Sequence, residues 1–491
     1  MRGLAQTLRN YQARAVDDSE AARRGLIVAP PGAGKTTIAA EIIRRELAKP
    51  RAHPQAPRRL VIVLAHRKEL IAQAAARIQN NTGHTPQTIS AGRIEGPIGA
   101  RVFVASVRTL SRRKAWLKQA SASVSLVIID EAHRSLAKSY QKILDELPHA
   151  RIIGLTASPH RLDGKPLGDL FSEMITTAHP QELIEAGHLI EPRIFGRPLG
   201  GLLRGVKKQA GDYHRGQLSA AMNSGELAGA VVEHYLKLAR GKRAVVFAAG
   251  VEHSRALVAQ FTAAGVTAAH LDGSTPANER REILANLRSP DHPLDVVSNC
   301  EILTEGWDLP ELGAVILARP TMSPGLYIQM VGRVLRPKPS GGEGLIIDHA
   351  GCVAAHGWPT ADRAWSLTDR EDRPKPAEAL PGFSNCGRCF ALFVRRGRTA
   401  CPECGQPLPR SELRKPPIET REALTEYKRE KQQERQAKAA KNADRLYIRD
   451  VAEGDRRGYQ AGWAAMRYKS RCGRWPTQEL KAAAIRKIRN V

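Results

Sequence analysis

The chain has 491 residues, of which 42% are hydrophobic and 25% charged. That composition excludes wholesale disorder, and at roughly 100–200 residues per domain the length implies two to four domains. Lys and Arg number 76 against 49 Asp and Glu, a formal charge of +27. A polyanion such as nucleic acid is the expected partner, although an arginine-rich solvated surface would give the same figure. No apolar run reaches the ~18–20 residues that span a bilayer, and the N-terminus lacks an apolar stretch with a small-residue cleavage site. A cytoplasmic chain with no membrane partner is expected. Seven cysteines are too few for a secreted disulfide framework.

In chain order, Val/Ile/Leu-rich runs occur at Gly25–Ala29, Leu60–Ala65, Val102–Val107, Leu126–Ile129 and Ile152–Leu155. Each precedes a stretch with helical spacing, such as Thr37–Leu47 and Lys68–Ile78. Continuously apolar strands alternating with helices predict a parallel sheet covered on both faces. A second set follows at Ala244–Ala248, Ala268–Leu271, Val296–Ser298, Ala314–Leu317 and Leu345–Ile347, and Pro192–Gly216 between the sets reads as a connection. The fold class is α/β, with domains at 1–190 and 226–370 joined by a connector at 191–225. A Pro- and charge-rich linker at 371–382 leads to a cysteine module at 383–410. The tail at 411–491 is helical in pattern and holds 21 basic and 11 acidic residues, a net +10 in 81 positions.

Ala29-Pro-Pro-Gly-Ala-Gly-Lys-Thr36 lies between a predicted strand and a predicted helix, the context a phosphate-binding loop requires. Gly32 and Gly34 allow backbone N–H groups to turn toward phosphate oxygens at a helix N-terminus. Lys35 then reaches the β/γ-phosphates and the Thr36 hydroxyl ligates Mg²⁺. The first position is Ala29, one residue short of the strict pattern. Val127-Ile-Ile-Asp-Glu-Ala-His133 ends another strand with two carboxylates. Asp130 suits the metal and Glu131 the polarisation of attacking water, on opposite faces of the strand.

These residues resemble the superfamily-two helicase and translocase ATPases of the DEAD/DEAH type, over about residues 8–348. The resemblance implies two tandem RecA-like domains, with ATP and Mg²⁺ as cofactors. It puts Gln12 of Leu8-Arg-Asn-Tyr-Gln12 on adenine, and Pro31, Gly32, Ala33, Gly34, Lys35, Thr36 and Thr37 around the phosphates. Ala65-His-Arg-Lys-Glu-Leu70 and Ser106-Val-Arg-Thr-Leu110 resemble strand-contact motifs, which implicates His66, Arg67 and Thr109 in nucleic-acid binding. Leu155-Thr-Ala-Ser-Pro159 resembles the motif coupling hydrolysis to domain movement, through Thr156 and Ser158. His133 is expected to link the nucleotide site to Gln329 or to Thr156. In the second domain, His270-Leu-Asp-Gly-Ser-Thr275 implies backbone contacts by Gly273 and Ser274. Leu303-Thr-Glu-Gly-Trp-Asp-Leu-Pro310 puts Thr304 on nucleic acid and Gly306 and Asp308 near the nucleotide. Gln329-Met-Val-Gly-Arg-Val-Leu-Arg336 adds Gln329 and directs Arg333 and Arg336 at the γ-phosphate. Thr156–Gly164, Leu167–Phe171 and Glu182–Leu189 are similar to RadD-like bacterial and phage proteins, which favours DNA over RNA and admits other DNA-processing proteins as partners.

Cys386, Cys389, Cys401 and Cys404 form C-x2-C-x11-C-x2-C, the spacing of a zinc ribbon with no ligand position left open. Cys300, Cys352 and Cys472 read as spectators. In Gly458–Pro476 four aromatic residues interleave with four cations. Stacking on single-stranded nucleic acid and a small helical core with a basic rim both account for them. The reading is a DNA-acting ATP-driven motor for repair, replication or phage propagation. An RNA helicase and an ATP-regulated binding or annealing factor remain as alternatives.

Overall fold

The computed structural model describes residues 8–368 and 383–408 apart from 52, 67, 161–164, 197–205, 210–211, 223–224, 292, 305–306, 364, 387, 390 and 395–397, and in the tail 447–448, 450–452, 464–465, 467–468 and 476–489. The chain divides into two compact units, 1–408 and 409–491. The first contains two lobes, each built on one sheet.

The first lobe holds β1 (Arg24–Val28), β2 (Leu60–Ala65), β3 (Gln87–Ser90), β4 (Arg93–Glu95), β5 (Val102–Ser106), β6 (Val124–Asp130), β7 (Arg151–Thr156) and β8 (Glu173–Thr176). Their order in the sheet is β4-β3-β5-β2-β6-β7-β1-β8. Side chains alternate across the pleat, so each central strand feeds two cores. Val61 and Val63 pack with Ile38, Ile42, Ile71 and Ile78 of the helices on one face. Ile62 and Leu64 pack with Leu110, Leu117, Tyr140 and Ile143 on the other. Burial on both faces is why the strands read as unbroken apolar runs.

The second lobe contains β9 (Arg193–Gly196), β12 (Ala244–Ala248), β13 (Ala268–Leu271), β14 (Val296–Asn299), β15 (Ala314–Ala318), β16 (Leu345–Asp348), β17 (Phe383–Asn385) and β18 (Ala391–Val394), with a separate hairpin of β10 (Lys208–Gln209) and β11 (Asp212–Tyr213). The sheet order is β13-β14-β12-β15-β16-β9-β18-β17. Val245 and Phe247 face one core, which extends to Ala29, Ala33 and Ala157 of the first lobe. Val246 and Ala248 face the other.

Three features depart from the sequence-based expectation of two parallel sheets, a structureless connector and a separate cysteine module. A β3–β4 hairpin closes one edge of the first sheet, pairing Ser90 with Arg93. Its two loop residues, Ala91 and Gly92, both have positive φ, the requirement of a tight primed turn. Arg193–Gly196, within the predicted connector, is a strand parallel to β16. The cysteine module does not stand apart either: β18 pairs antiparallel with β9 through Ala391↔Phe195 and Leu392↔Ile194. Cys386, Cys401 and Phe393 belong to the same core as Phe195, Tyr235 and Phe261. Arg193 reinforces the join, pairing with Glu343 at 2.6 Å and also with Glu403.

Beyond β16 the chain forms a short helix, Cys352–His356, then runs back toward the first lobe. The Gly168 N–H donates to the Leu367 carbonyl at 2.8 Å, His179 Nδ1 lies 3.0 Å from Asp362 Oδ1, and Trp365 and Leu367 pack on the first-lobe core. In the tail, Tyr447 and Tyr468 meet edge to face at 5.4 Å beside Ala464 and Ala484, and Arg467 lies 3.8 Å from Asp450. Tyr468 is therefore a core residue. Tyr459, Trp463 and Trp475, like the charged run Glu422–Lys441, lie outside the described residues. Among the described residues no helix is long and apolar enough to cross a membrane.

Candidate active site

The loop Ala29–Thr36 leaves the C-terminal end of β1, and the helix Lys35–Ala48 begins inside it. Gly32 and Gly34 have φ of +88° and +83°, backbone that only glycine adopts without strain. At Gly34 a Cβ would also lie 2.4 Å from Gln12 Nε2. That contact locates Gln12, which is buried behind the loop. Its amide donates to the Ala33 carbonyl at 2.9 Å and its Oε1 accepts from Arg9 N at 3.0 Å. The Tyr11 hydroxyl donates to the same carbonyl at 3.1 Å. Gln12 thus braces the loop and does not line the cleft in front of it, and Ala33 is buried with it.

β6 ends at Asp130, whose Oδ1 accepts from the N–H of Glu131 at 3.0 Å. Glu131 has φ +51°, a conformation that costs a non-glycine residue about 1–2 kcal/mol. The turn aims its carboxylate back across the loop. Glu131 Oε1 lies 3.3 Å from Lys35 Nζ. Glu131 Oε2 accepts from Gln329 Nε2 of the second lobe at 3.3 Å and lies 3.4 Å from His133 Nδ1. His133 Nδ1 is also 3.4 Å from Thr156 Oγ1, and that hydroxyl donates to the Ser158 carbonyl at 2.7 Å. His133 therefore meets Thr156 directly and Gln329 through Glu131. A Cβ on Gly325, in the second-lobe helix Pro324–Val331, would stand 3.2 Å from Ser158 Oγ.

Between the lobes lies a cleft of about 460 Å³, within the size range of small-molecule sites. The first lobe lines it with Pro31, Gly32, Gly34, Lys35, Thr36, Thr37, Asp130 and Glu131, and the second with Asp308, Gln329, Gly332, Arg333 and Arg336. Thr36 and Asp130 supply oxygen donors suited to a hard divalent cation. At Gly332 a Cβ would lie 2.4 Å from Pro31 Cβ, so only glycine lets this helix end touch the loop. The two arginines have partners within their own lobe. Arg333 donates to the carbonyls of Thr304 and Trp307, and Arg336 pairs with Asp308. Burial, then the charge of Arg77, pushes the Arg336 guanidinium down to about 10. The far wall is the helix Lys68–Thr82, through Gln73, Arg77 and Asn81. Sequence reasoning did not assign these three, although their spacing of four places them on one helix face. Gly306 lies outside the described residues.

The residues expected on nucleic acid are not gathered in this cleft. Thr109 lines a separate groove of about 580 Å³ with Ser106, Arg108, Arg112 and Arg113. His66 sits half-buried beyond the end of β2, and Arg67 is outside the described residues. Ser274 gives both its N–H (2.7 Å) and its hydroxyl (2.6 Å) to Asp272 Oδ1. The Ser274 hydroxyl, and then His270, hold the Asp272 carboxyl well below the usual range. Space around Gly273 is open. Thr304 is buried, its hydroxyl donating to the Glu301 carbonyl at 3.4 Å, so it does not present a surface contact.

The four module cysteines converge, with every pair of sulfurs within 4.8 Å and the Cys386–Cys404 and Cys389–Cys401 pairs at 3.6 Å. A tetrahedral Zn²⁺ with Zn–S near ~2.3 Å places sulfurs about 3.8 Å apart, so the residues fit that ion. Among the described residues no other group of three or more His, Cys, Asp or Glu converges in this way.

Residues 5–161 match the family model described as the res subunit of type III restriction enzymes, and residues 228–338 match the helicase conserved C-terminal domain. The chain is 31% identical to a Saccharomyces cerevisiae protein assigned as the ATP-dependent helicase IRC3, over 71% of this chain and 52% of that one. It therefore spans about half the length of that relative. It is 25% identical to the DNA 3'-5' translocase XPB2 of Sulfurisphaera tokodaii, over 70% of this chain and 81% of the relative. Among solved structures it is similar to a fragment assigned as the HsdR subunit of a type I restriction enzyme from Vibrio vulnificus YJ016, with a TM-score of 0.57 at 20% identity, covering 75% of this chain and 68% of the other.

Proposed function

We propose that this chain, a member of the superfamily-two helicase ATPases, is a DNA-dependent motor that couples ATP hydrolysis to translocation along DNA, and to its unwinding or remodelling. The observation that carries this reading is the bond path from Lys35 through Glu131 to Gln329, which joins the phosphate loop of one lobe to the arginine-bearing helix end of the other. Lys35 neutralises phosphate charge, and Glu131 takes the proton of the attacking water. Mg²⁺, held by Thr36 and Asp130, would neutralise charge on the phosphate oxygens. Arg333 and Arg336 exchange their own-lobe partners for the γ-phosphate, so that bond cleavage and lobe closure depend on each other. Nucleic acid held by both lobes favours the closed form and by linkage stimulates hydrolysis. The charge of +27 and the name of the archaeal translocase support DNA as the polymer. The cysteine cluster is proposed to hold a structural Zn²⁺.

The test is steady-state ATP hydrolysis by the wild type and Lys35→Ala, alone and with single-stranded DNA, duplex DNA or RNA. Stimulation by DNA that vanishes in the variant supports the motor, and stimulation by RNA alone replaces it with an RNA helicase. No hydrolysis under any condition by folded, zinc-loaded protein would remove the motor reading. Strand displacement that persists with a non-hydrolysable analogue would replace it with an annealing or binding factor.

A further inference from the structure

The helix Lys68–Thr82 divides its labour between two faces. Ile71 and Ile78 fill the first-lobe core, whereas Gln73, Arg77 and Asn81 line the nucleotide cleft on successive turns. Folding accounts for the apolar face, while on the polar one Gln73 and Arg77 stay exposed to solvent where they border the cleft and within reach of a ligand in it. Arg77 Nη1 donates to Thr36 Oγ1 at 3.1 Å, so its guanidinium stands next to the hydroxyl that follows Lys35. Among the described residues no carboxylate forms an ion pair with Arg77, although Asp130, Glu131 and Asp308 line the same cleft.

The second observation comes from the opposite lobe. Arg336 enters the cleft from the far side, and the charge of Arg77 is close enough to act on it. Two guanidiniums from different lobes that face one space repel each other, and an anion between them turns that repulsion into attraction. A phosphate loop cradles the α- and β-phosphates, while its lysine reaches toward the γ-phosphate. The oxygens that extend from the loop to the second lobe are therefore those of the third phosphate.

We propose that Arg77 is a third phosphate-reading arginine, carried on the same lobe as the phosphate loop, which discriminates a nucleoside triphosphate from a diphosphate. This inference rests on the nucleotide-cleft reading above. It makes recognition of the third phosphate begin on the first lobe, with Arg336 completing it from the second.

The test is equilibrium binding of a non-hydrolysable ATP analogue and of ADP, each with Mg²⁺, to the full-length wild type, Arg77→Gln and Arg77→Lys. Loss of one charge-assisted contact should weaken the analogue about tenfold in Arg77→Gln, with ADP affinity within about twofold and with Arg77→Lys recovering most of the loss. A merely structural role would lower both affinities together. Equal losses for the two nucleotides, or no loss for either while the wild type binds both, would overturn the assignment of Arg77 and leave the cleft intact. A wild type that binds neither nucleotide would overturn the cleft reading and this inference with it.

Discussion

The two walls of the cleft are prepared to different degrees. On the first lobe Lys35, Glu131, His133 and Thr156 are linked by contacts of 3.3–3.4 Å. On the second lobe Arg333 is bonded to the carbonyls of Thr304 and Trp307, and Arg336 to Asp308. In the proposed mechanism the first set needs only that Lys35 leave Glu131 for the phosphates, a side-chain shift within one lobe, close to the preorganised form of electrostatic catalysis. The second must give up existing partners, so its contribution arrives only with a conformational change and only when the anion offers more than a carbonyl does. In the proposed mechanism, chemistry resides mainly on one wall, and its timing on the other.

This contrast breaks most directly at Arg333. Arg333→Ala should lower DNA-stimulated turnover by about 10³–10⁵-fold while equilibrium nucleotide binding changes little, and loss of binding instead would place Arg333 in ground-state recognition. On the opposite wall, Glu131→Gln should cost about 10²–10⁴-fold in turnover. Because it retains shape while its amide can accept from only one of Lys35 and Gln329, it should accumulate bound triphosphate, which a filter-binding assay would detect. The junction of the walls is sharpened by Gly332→Ala. The added methyl meets Pro31, an overpacking that costs about 1–3 kcal/mol. We expect weaker lobe closure, read as a raised KM for ATP, and some loss of thermal stability because the methyl also stands 2.8 Å from the Ile328 carbonyl oxygen of its own lobe.

A separate expected effect concerns acid stability of the second lobe. His253 is buried, its Nδ1 accepts from the Ala249 N–H at 3.2 Å, and burial pushes its pKa down to about 4. The unfolded value is near ~6.5, so the unfolded chain binds the extra proton first. The contribution of His253 is complete above about pH 6.5 and is lost as pH falls to about 4, up to about 3 kcal/mol. His253→Asn should flatten the pH dependence of denaturant-induced unfolding across that window. An unchanged slope would assign the acid sensitivity elsewhere.

How much of this could be read in advance depends on distance along the chain. The phosphate loop and the Asp130–Glu131 pair were legible because chemistry dictates neighbouring residues, and a strand and a helix must flank them. Gln329 and Arg333 were legible as a motif, but their present partners, Glu131 and the Thr304 and Trp307 carbonyls, were not. Position in sequence carries no record of what a side chain touches. The join of β18 to β9 unites segments about 200 residues apart, and backbone hydrogen bonding leaves no local residue signature to announce it. The β3–β4 turn was missed because Ala91-Gly92 lacks the asparagine or aspartate that usually marks such turns. Gln73, Arg77 and Asn81 were present as a helical stripe, but polar stripes ordinarily face water, as Gln73 and Arg77 still do, and only the position of the second lobe shows that they also border the cleft.

The return segment after Cys352–His356 has a mechanical consequence. The Tyr327 hydroxyl, two residues from Gln329, donates to the Gly357 carbonyl at 2.9 Å, and Arg363 lies over the Tyr327 ring. A few residues later the same segment is fastened to the edge of the first lobe by Leu367 and Asp362. Trp358 and Thr360 of the same segment also bond to Glu191 at the covalent crossover, so the crossover and the return segment form one joint between the lobes. Arg333 and Arg336 lie just beyond the end of the helix that this joint grips, and we expect the joint, which takes no part in the chemistry, to set the pivot of any lobe movement.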